Sequence, residues 1–141
     1  MSILQPDIPG ARVVDFFAGS GALGLEALSR GADAVTLVEK SSKSIRAISN
    51  NIEALGAGDA ATLQRSDAIR FAKNLSAREF DVAFADPPYE GGFAPMLASI
   101  WLETPFSSIL SIEHKRGEKM PEATDTRRYG TSAITFYRTE D

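Results

Sequence analysis

The sequence predicts an α/β fold, a three-layer sandwich in which a mostly parallel seven-stranded sheet carries helices on both faces and is closed by a C-terminal antiparallel hairpin strand. Three observations predict it. From Val13 to Glu113, short apolar runs alternate with stretches of helical periodicity. A glycine-rich turn, Gly19-Ser20-Gly21-Ala22-Leu23-Gly24, joins the first run to the first helical stretch. The pattern then changes, and the chain ends in two strand-like segments around Gly130.

Val13 to Phe17 is an apolar run interrupted by Asp15, and the glycine turn leads into a helix from Leu23 to Ser29 that stops at Gly31. Ala34 to Glu39 (AVTLVE) is the second strand. Ser42 to Leu55 carries Ile45, Ile48, Ile52 and Leu55 at helical spacing and stops at Gly56. Thr62 to Gln64 is a short third strand, followed by a helix from Ala68 to Leu75. Phe80 to Ala85 (FDVAFA) is the fourth strand, stopped by Pro87 and Pro88. A helix from Phe93 to Leu102 and a fifth strand from Ile109 to Glu113 follow. Thr126 to Tyr129 and Ser132 to Arg138 form the hairpin, whose final strand is expected to run antiparallel at one side of the sheet.

The 141 residues are 43% apolar, enough for one core, so a single domain over 1–141 is expected. No apolar run approaches the roughly 18 residues that cross a bilayer. The opening MSILQPDIPGAR lacks a charged region followed by a long apolar one, and a soluble, cytosolic protein is expected. With no cysteine and one histidine, a disulfide scaffold and thiolate metal sites are excluded and no metal centre is expected. A net charge of −4 argues against a surface coated for nucleic acid, while leaving room for a local basic patch.

The glycine pattern alone does not choose a ligand. It brings backbone close to a bound group and turns a helix N-terminus toward it, whether the group is a dinucleotide or another nucleoside cofactor. Glu39 lies 20 positions beyond Gly19 and would meet ribose hydroxyls in either case. Two features discriminate. Asp15 is a carboxylate inside an apolar strand, costly unless it is partnered. A zwitterionic ligand with an ammonium group would partner it; acceptance of backbone hydrogen bonds from the following turn is the bland alternative. The second is Asp86-Pro87-Pro88-Tyr89, at the carboxyl end of the fourth strand, where open parallel sheets bind ligands. The prolines stiffen the loop and donate no N–H. Such an acceptor array suits a planar amine: Asp86 takes one N–H, a carbonyl of the Pro-Pro unit the other, and the Tyr89 ring stacks on the base.

With DFFAGSGALGLEALSRGA (Asp15 to Ala32), VEK ending strand two, SDA (Ser66 to Ala68), FADPPYEGG (Phe84 to Gly92) and IEHKRGE (Ile112 to Glu118), the chain resembles the class I, Rossmann-like S-adenosylmethionine-dependent methyltransferases. More narrowly it resembles the RsmD-type 16S ribosomal RNA guanine-N2 methyltransferases, over almost its whole length. The resemblance implies S-adenosyl-L-methionine as cofactor and 16S rRNA or the small ribosomal subunit as partner, with no membrane. It implies that Asp15 and the turn of Phe17, Ala18, Gly19, Ser20 and Gly21 hold the methionine part of the cofactor. Glu39, with Lys40 beside it, would serve the ribose; Asp67 and Ala68 the adenine; and Asp86, Pro87, Pro88 and Tyr89 would form the catalytic loop, Asp86 also bordering the cofactor. Asp86 is expected to orient the amine rather than act as a strong base, because in-line methyl transfer needs alignment above all.

Family members carry a segment before the first strand, with a basic hairpin that grips RNA. Here the first strand starts at Val13, so a catalytic domain without that N-terminal RNA-binding segment is expected. Local RNA contacts are expected from Lys115, Arg116 and Lys119, and also from Arg127 and Arg128; His114 is expected to be a strand-end residue without a catalytic role. Alternatives remain open at this level: methylation of another planar amine (adenine, or a protein glutamine), a non-catalytic cofactor- or RNA-binding relic, and a nicotinamide-dependent oxidoreductase. The sequence leaves the oligomeric state open, with a monomer favoured.

Overall fold

The computed structural model describes residues 2–140. A 3-10 helix over Ser2–Asp7 precedes β1 (Arg12–Phe16), α1 (Ala22–Ser29), β2 (Ala34–Glu39), α2 (Ser42–Ala54), β3 (Ala61–Arg65) and α3 (Ala68–Lys73). There follow β4 (Val82–Ala85), α4 (Phe93–Glu103), β5 (Ile109–Lys115), β6 (Asp125–Tyr129) and β7 (Ser132–Arg138). The seven strands form one sheet in the order β3-β2-β1-β4-β5-β7-β6. Strands β1 to β5 are parallel, while β7 is antiparallel to both β5 and β6. The expected hairpin is present, with the last strand inserted beside β5 and β6 left at the edge.

Alternation along the strands sends side chains to two cores. Val14 and Phe16 of β1, with Leu110 and Ile112 of β5, pack against α3 and α4, including Ala72, Leu97 and Trp101. Val13 of β1, with Val35 and Leu37 of β2, packs against Leu25 of α1 and Ile48 of α2. Burying each such aliphatic side chain contributes about 1.5–3 kcal/mol. The 3-10 helix has no counterpart among the elements expected from the sequence. Leu4 within it and Ile8 just after it are both buried in the second core.

Element ends differ from expectation for local reasons. Phe17 has φ 58 and leaves the extended region, so β1 stops one residue early. Asp67 caps α3, accepting the Arg70 N–H at 3.0 Å, and the helix ends by Lys73, where the Asn74 side chain bonds the Arg70 carbonyl. Helix α2 ends at Ala54, which leaves Leu55 66% exposed rather than in the core with Ile48. β4 starts at Val82 because Asp81 turns its carboxylate to the Arg12 backbone N–H at 2.8 Å. β5 runs to Lys115, two residues further than expected, because β7 pairs with it up to Ser132 opposite Lys115.

Candidate active site

Three left-handed residues shape the turn after β1: Phe17 (φ 58), Gly19 (φ 60) and Gly21 (φ 81). Glycine takes this conformation freely, whereas Phe17 holds it at a cost of about 1–3 kcal/mol. The neighbouring structure restrains it: Ala18 N–H donates to the Val38 carbonyl at 3.0 Å, and the Phe17 ring stands 5.7 Å from that of Phe93. Gly21 then caps α1. The turn is tied to β2 by the Gly19 N–H, which donates to Glu39 Oε1 at 2.9 Å, and to α2 by Asn51 Nδ2, which donates to the Ser20 carbonyl at 2.9 Å. Gly24 packs so tightly on the sheet that a Cβ there would lie 2.5 Å from Leu37 Cδ2.

Beyond the carboxyl ends of β1, β2, β3 and β4 lies a cleft of about 660 Å³. Of the residues singled out from sequence, Phe17, Glu39, Lys40, Asp67, Ala68, Asp86, Pro87 and Pro88 line it. Val38, Ser41, Ser66 and Phe93 line it as well. Ser66 stands in the SDA segment already singled out. Phe93 had only its position after Gly91-Gly92 to mark it, and nothing local said that its ring would face Phe17.

The remaining residues lie outside the cleft wall. Ala18, Gly19, Ser20 and Gly21 form the turn behind Phe17 and do not line the cleft. Tyr89, next to Pro88 in the loop, is 42% exposed and is not among the lining residues. Asp15 is 3% exposed beneath the turn, and its Oδ2 accepts the Gly24 N–H at 3.1 Å. That backbone contact is the bland alternative the sequence allowed for Asp15. It does not balance the loss of water: burial pushes the Asp15 carboxyl up to about 7, against the Gly24 hydrogen bond, with the charges of Asp86 and Glu39 adding to the rise. A positive group in the cleft would relieve this strain.

Glu39 has a fuller role than expected. Its Oε1 takes the Gly19 N–H, and its Oε2 takes the backbone N–H groups of Lys40 at 3.1 Å and Ser41 at 3.0 Å. Three of roughly four lone-pair sites are thereby engaged. Asp67 caps α3 and meets Lys40 Nζ at 3.5 Å; the Arg70 N–H is the main cause of a lowered carboxyl pKa. Burial raises the Asp86 carboxyl, and burial followed by the Asp86 charge raises Glu113. Among the described residues no group of acidic or histidine side chains is arranged to hold a metal ion, and no helix is long and apolar enough to cross a membrane.

Lys115, Arg116 and Lys119 are exposed at the end of β5 and in the loop after it. Arg116 reaches back to the Gly130 carbonyl at 3.3 Å, and Arg127 pairs with Asp125 at 2.9 Å. His114 is buried within β5, its Nε2 2.6 Å from Thr135 Oγ1 and its Nδ1 3.0 Å from the Lys115 carbonyl oxygen. It borders a separate cavity of about 280 Å³ with Thr126 and Thr135.

A parallel sheet ending in an inserted antiparallel strand, with the cleft over β1, β2 and β4, defines the class I methyltransferase fold. An RNA methyltransferase from Salinibacter ruber, solved in complex with S-adenosyl-L-homocysteine, shares it at TM-score 0.74 over 99% of this chain and 92% of that one; at 13% identity the likeness is one of fold. The chain belongs to the family described as conserved hypothetical protein 95, whose sequence model matches residues 1–138. Within it, the chain is similar to ribosomal RNA small subunit methyltransferase D of Haemophilus influenzae, 30% identical over 144 residues that cover 96% of this chain and 74% of the relative. The structure of Escherichia coli yhhF superposes at TM-score 0.85 with 29% identity, covering 99% of this chain and 81% of that one. The resemblance to the RsmD type read from the sequence therefore holds.

Proposed function

We propose that this protein is an S-adenosylmethionine-dependent methyltransferase that methylates the exocyclic N2 amine of a guanine in small-subunit ribosomal RNA. One observation carries the reading: the Asp86-Pro87-Pro88 loop and the strand ends bearing Phe17, Glu39 and Asp67 face one cleft. That cleft has the volume of a nucleoside-sized site. Its walls fit the cofactor. Val38, Ala68 and Pro87 offer apolar surface to a base, Glu39 and Asp67 offer oxygens, and the carboxylates of Glu39 and Asp86 in the wall, with Asp15 beneath the turn, favour a ligand carrying positive charge.

The cofactor supplies a methyl group on a positively charged sulfur. The chain's own residues do the rest. Asp15 and the turn hold the cationic end, Glu39 braces the turn against β2, and Asp67 and Ala68 border the base. Asp86 accepts one N–H of the target amine and a carbonyl of the Pro87-Pro88 unit the other, which leaves the nitrogen lone pair aimed into the cleft. Fixing that line of approach is the main catalytic contribution, since alignment alone can supply several kcal/mol. Tyr89 stacks on a base swung out of its helix, because a paired guanine cannot present this amine. Lys115, Arg116 and Lys119 hold the flanking phosphates.

The test is transfer of labelled methyl from S-adenosylmethionine to small subunits lacking the modification, followed by nucleoside analysis. N2-methylguanosine, lost with Asp86→Ala, is expected. Methyladenosine as the sole product would overturn the guanine assignment.

A further inference from the structure

Asp86 has a neighbour that neither the glycine turn nor the proline loop accounts for. In the β4–β5 ladder the last pair is Ala85 with Ile112, so Asp86, the first residue beyond β4, comes level with Glu113, which lies within β5. Adjacent strands lie about 4.8 Å apart. Phe84 and Ile109 point into the core beside α1, and alternation carries Asp86 and Glu113 to that same side, the side of Asp15. The Asp86 charge acts on both Asp15 and Glu113, so it lies within electrostatic reach of each. No described residue gives the side-chain carboxylate of Asp86 or Glu113 a hydrogen bond or an ion pair; burial is the sole influence shifting Asp86. Beside Asp86, next to the residues that line the cleft, there is thus a second, partly buried carboxylate that lacks a donor.

The Watson–Crick edge of guanine carries two kinds of donor side by side, N2–H and N1–H. Adenine carries an amine beside N1, which is an acceptor. We infer that Glu113 is a specificity-determining residue whose carboxylate accepts guanine N1–H while Asp86 accepts an N–H of the adjacent amine. This rests on the guanine-N2 reading above and deepens it. An adenine in the same place sets its N1 lone pair against the Glu113 carboxylate and leaves that acceptor unpaired, the arrangement by which sites reject an analogue most strongly. The pair therefore reads the base, and the Pro87-Pro88 unit reads only the amine.

The decisive probe is 2-aminopurine, which keeps the C2 amine of guanine and has a lone pair at N1. Small-subunit RNA carrying guanine or 2-aminopurine at the position methylated by the wild-type protein is assayed with the full chain and with Glu113→Gln. The wild type should prefer guanine by about 10- to 100-fold in kcat/KM. In Glu113→Gln the amide can turn its N–H toward the N1 lone pair. Because the amide also keeps an acceptor oxygen, activity on guanine should fall by less than that factor while activity on 2-aminopurine rises, bringing the two within about threefold. Unchanged S-adenosylhomocysteine binding by the variant shows that the fold and cleft are intact, and a mere folding defect would not spare 2-aminopurine. If the wild type makes N2-methylguanosine and Glu113→Gln keeps the wild-type preference, the Glu113 role is overturned and the guanine reading stands. If the wild type makes no N2-methylguanosine, both fall.

Discussion

Glu39 Oε1 accepts the Gly19 N–H at 2.9 Å, so the end of β2 and the tip of the glycine turn are held by one carboxylate. The other oxygen of that carboxylate holds the start of the β2–α2 connection through the Lys40 and Ser41 N–H groups. Glu39→Ala removes acceptors from three amides at the cleft wall. Affinity for S-adenosylhomocysteine should fall by about 10- to 100-fold, as for loss of a charged hydrogen-bond partner. Calorimetric titration checks this, and Glu39→Gln, which keeps one acceptor oxygen, should lose less.

At Gly24, α1 lies close against the sheet. An added Cβ would meet Leu37 Cδ2 at 2.5 Å and Val35 Cγ2 at 3.0 Å, and both neighbours are buried core side chains. Gly24→Ala should therefore destabilise by about 1–3 kcal/mol through overpacking, although alanine is the better helix former. Urea denaturation measures it; an unchanged midpoint would show that the helix can lift off the sheet without cost.

Asp15 links stability and cofactor binding to pH. Its folded pKa of about 7 stands above its ordinary 3.8, so the folded chain binds the extra proton between those values. This group's contribution to stability is fully present below the unfolded pKa, weakens as pH rises, and is gone above about 7. Asp15→Asn should gain stability relative to the wild type on going from pH 4 to pH 8. A cationic ligand end beside Asp15 favours the ionised form, so S-adenosylhomocysteine binding near pH 7 should release a proton from the wild type and none from Asp15→Asn. Titration in buffers of different ionisation enthalpy reads that release.

Asp86→Ala keeps the cleft floor while removing one of two acceptors for the amine. A fall of about 100-fold in kcat with S-adenosylhomocysteine affinity nearly unchanged is expected, since misalignment by about 1 Å has that effect. Equal turnover by the variant would remove the orienting role.

Charge reversal at Lys115, Arg116 and Lys119 should weaken RNA binding at low salt. It should also flatten the dependence of log affinity on log salt by about one for each phosphate that is no longer neutralised. Cofactor binding, in a cleft that none of the three lines, should not change.

The turn, the acidic residue ending strand two and the proline loop were legible from the sequence because each is a local device. Positive φ at Gly19 and Gly21 and the stiffness of Pro87-Pro88 are properties of a few adjacent residues, and alternating strands and helices are enough to bring them to one end of a parallel sheet. The amphipathic spacing of α2 likewise announced Ile48 as core. The sequence by itself thus determined the fold class, the end of the sheet that carries the site, and most of the cleft wall. What only the tertiary structure decided depends on pairings between distant segments. Phe93 faces Phe17 because α4 packs beside the end of β1. β7 entered between β5 and β6 because its apolar side chains, Ala133 and Tyr137 on one face and Phe136 on the other, need cover on both sides of the sheet. The Asp15 carboxylate met a backbone N–H because Gly24 lies directly above it. Glu113 came beside Asp86 through the register of two strands whose paired residues lie 27 positions apart, as Ala85 and Ile112 do. Periodicity reports which way a side chain points along its own strand, whereas its neighbour across the ladder is set by a hydrogen-bond register that no local spacing encodes.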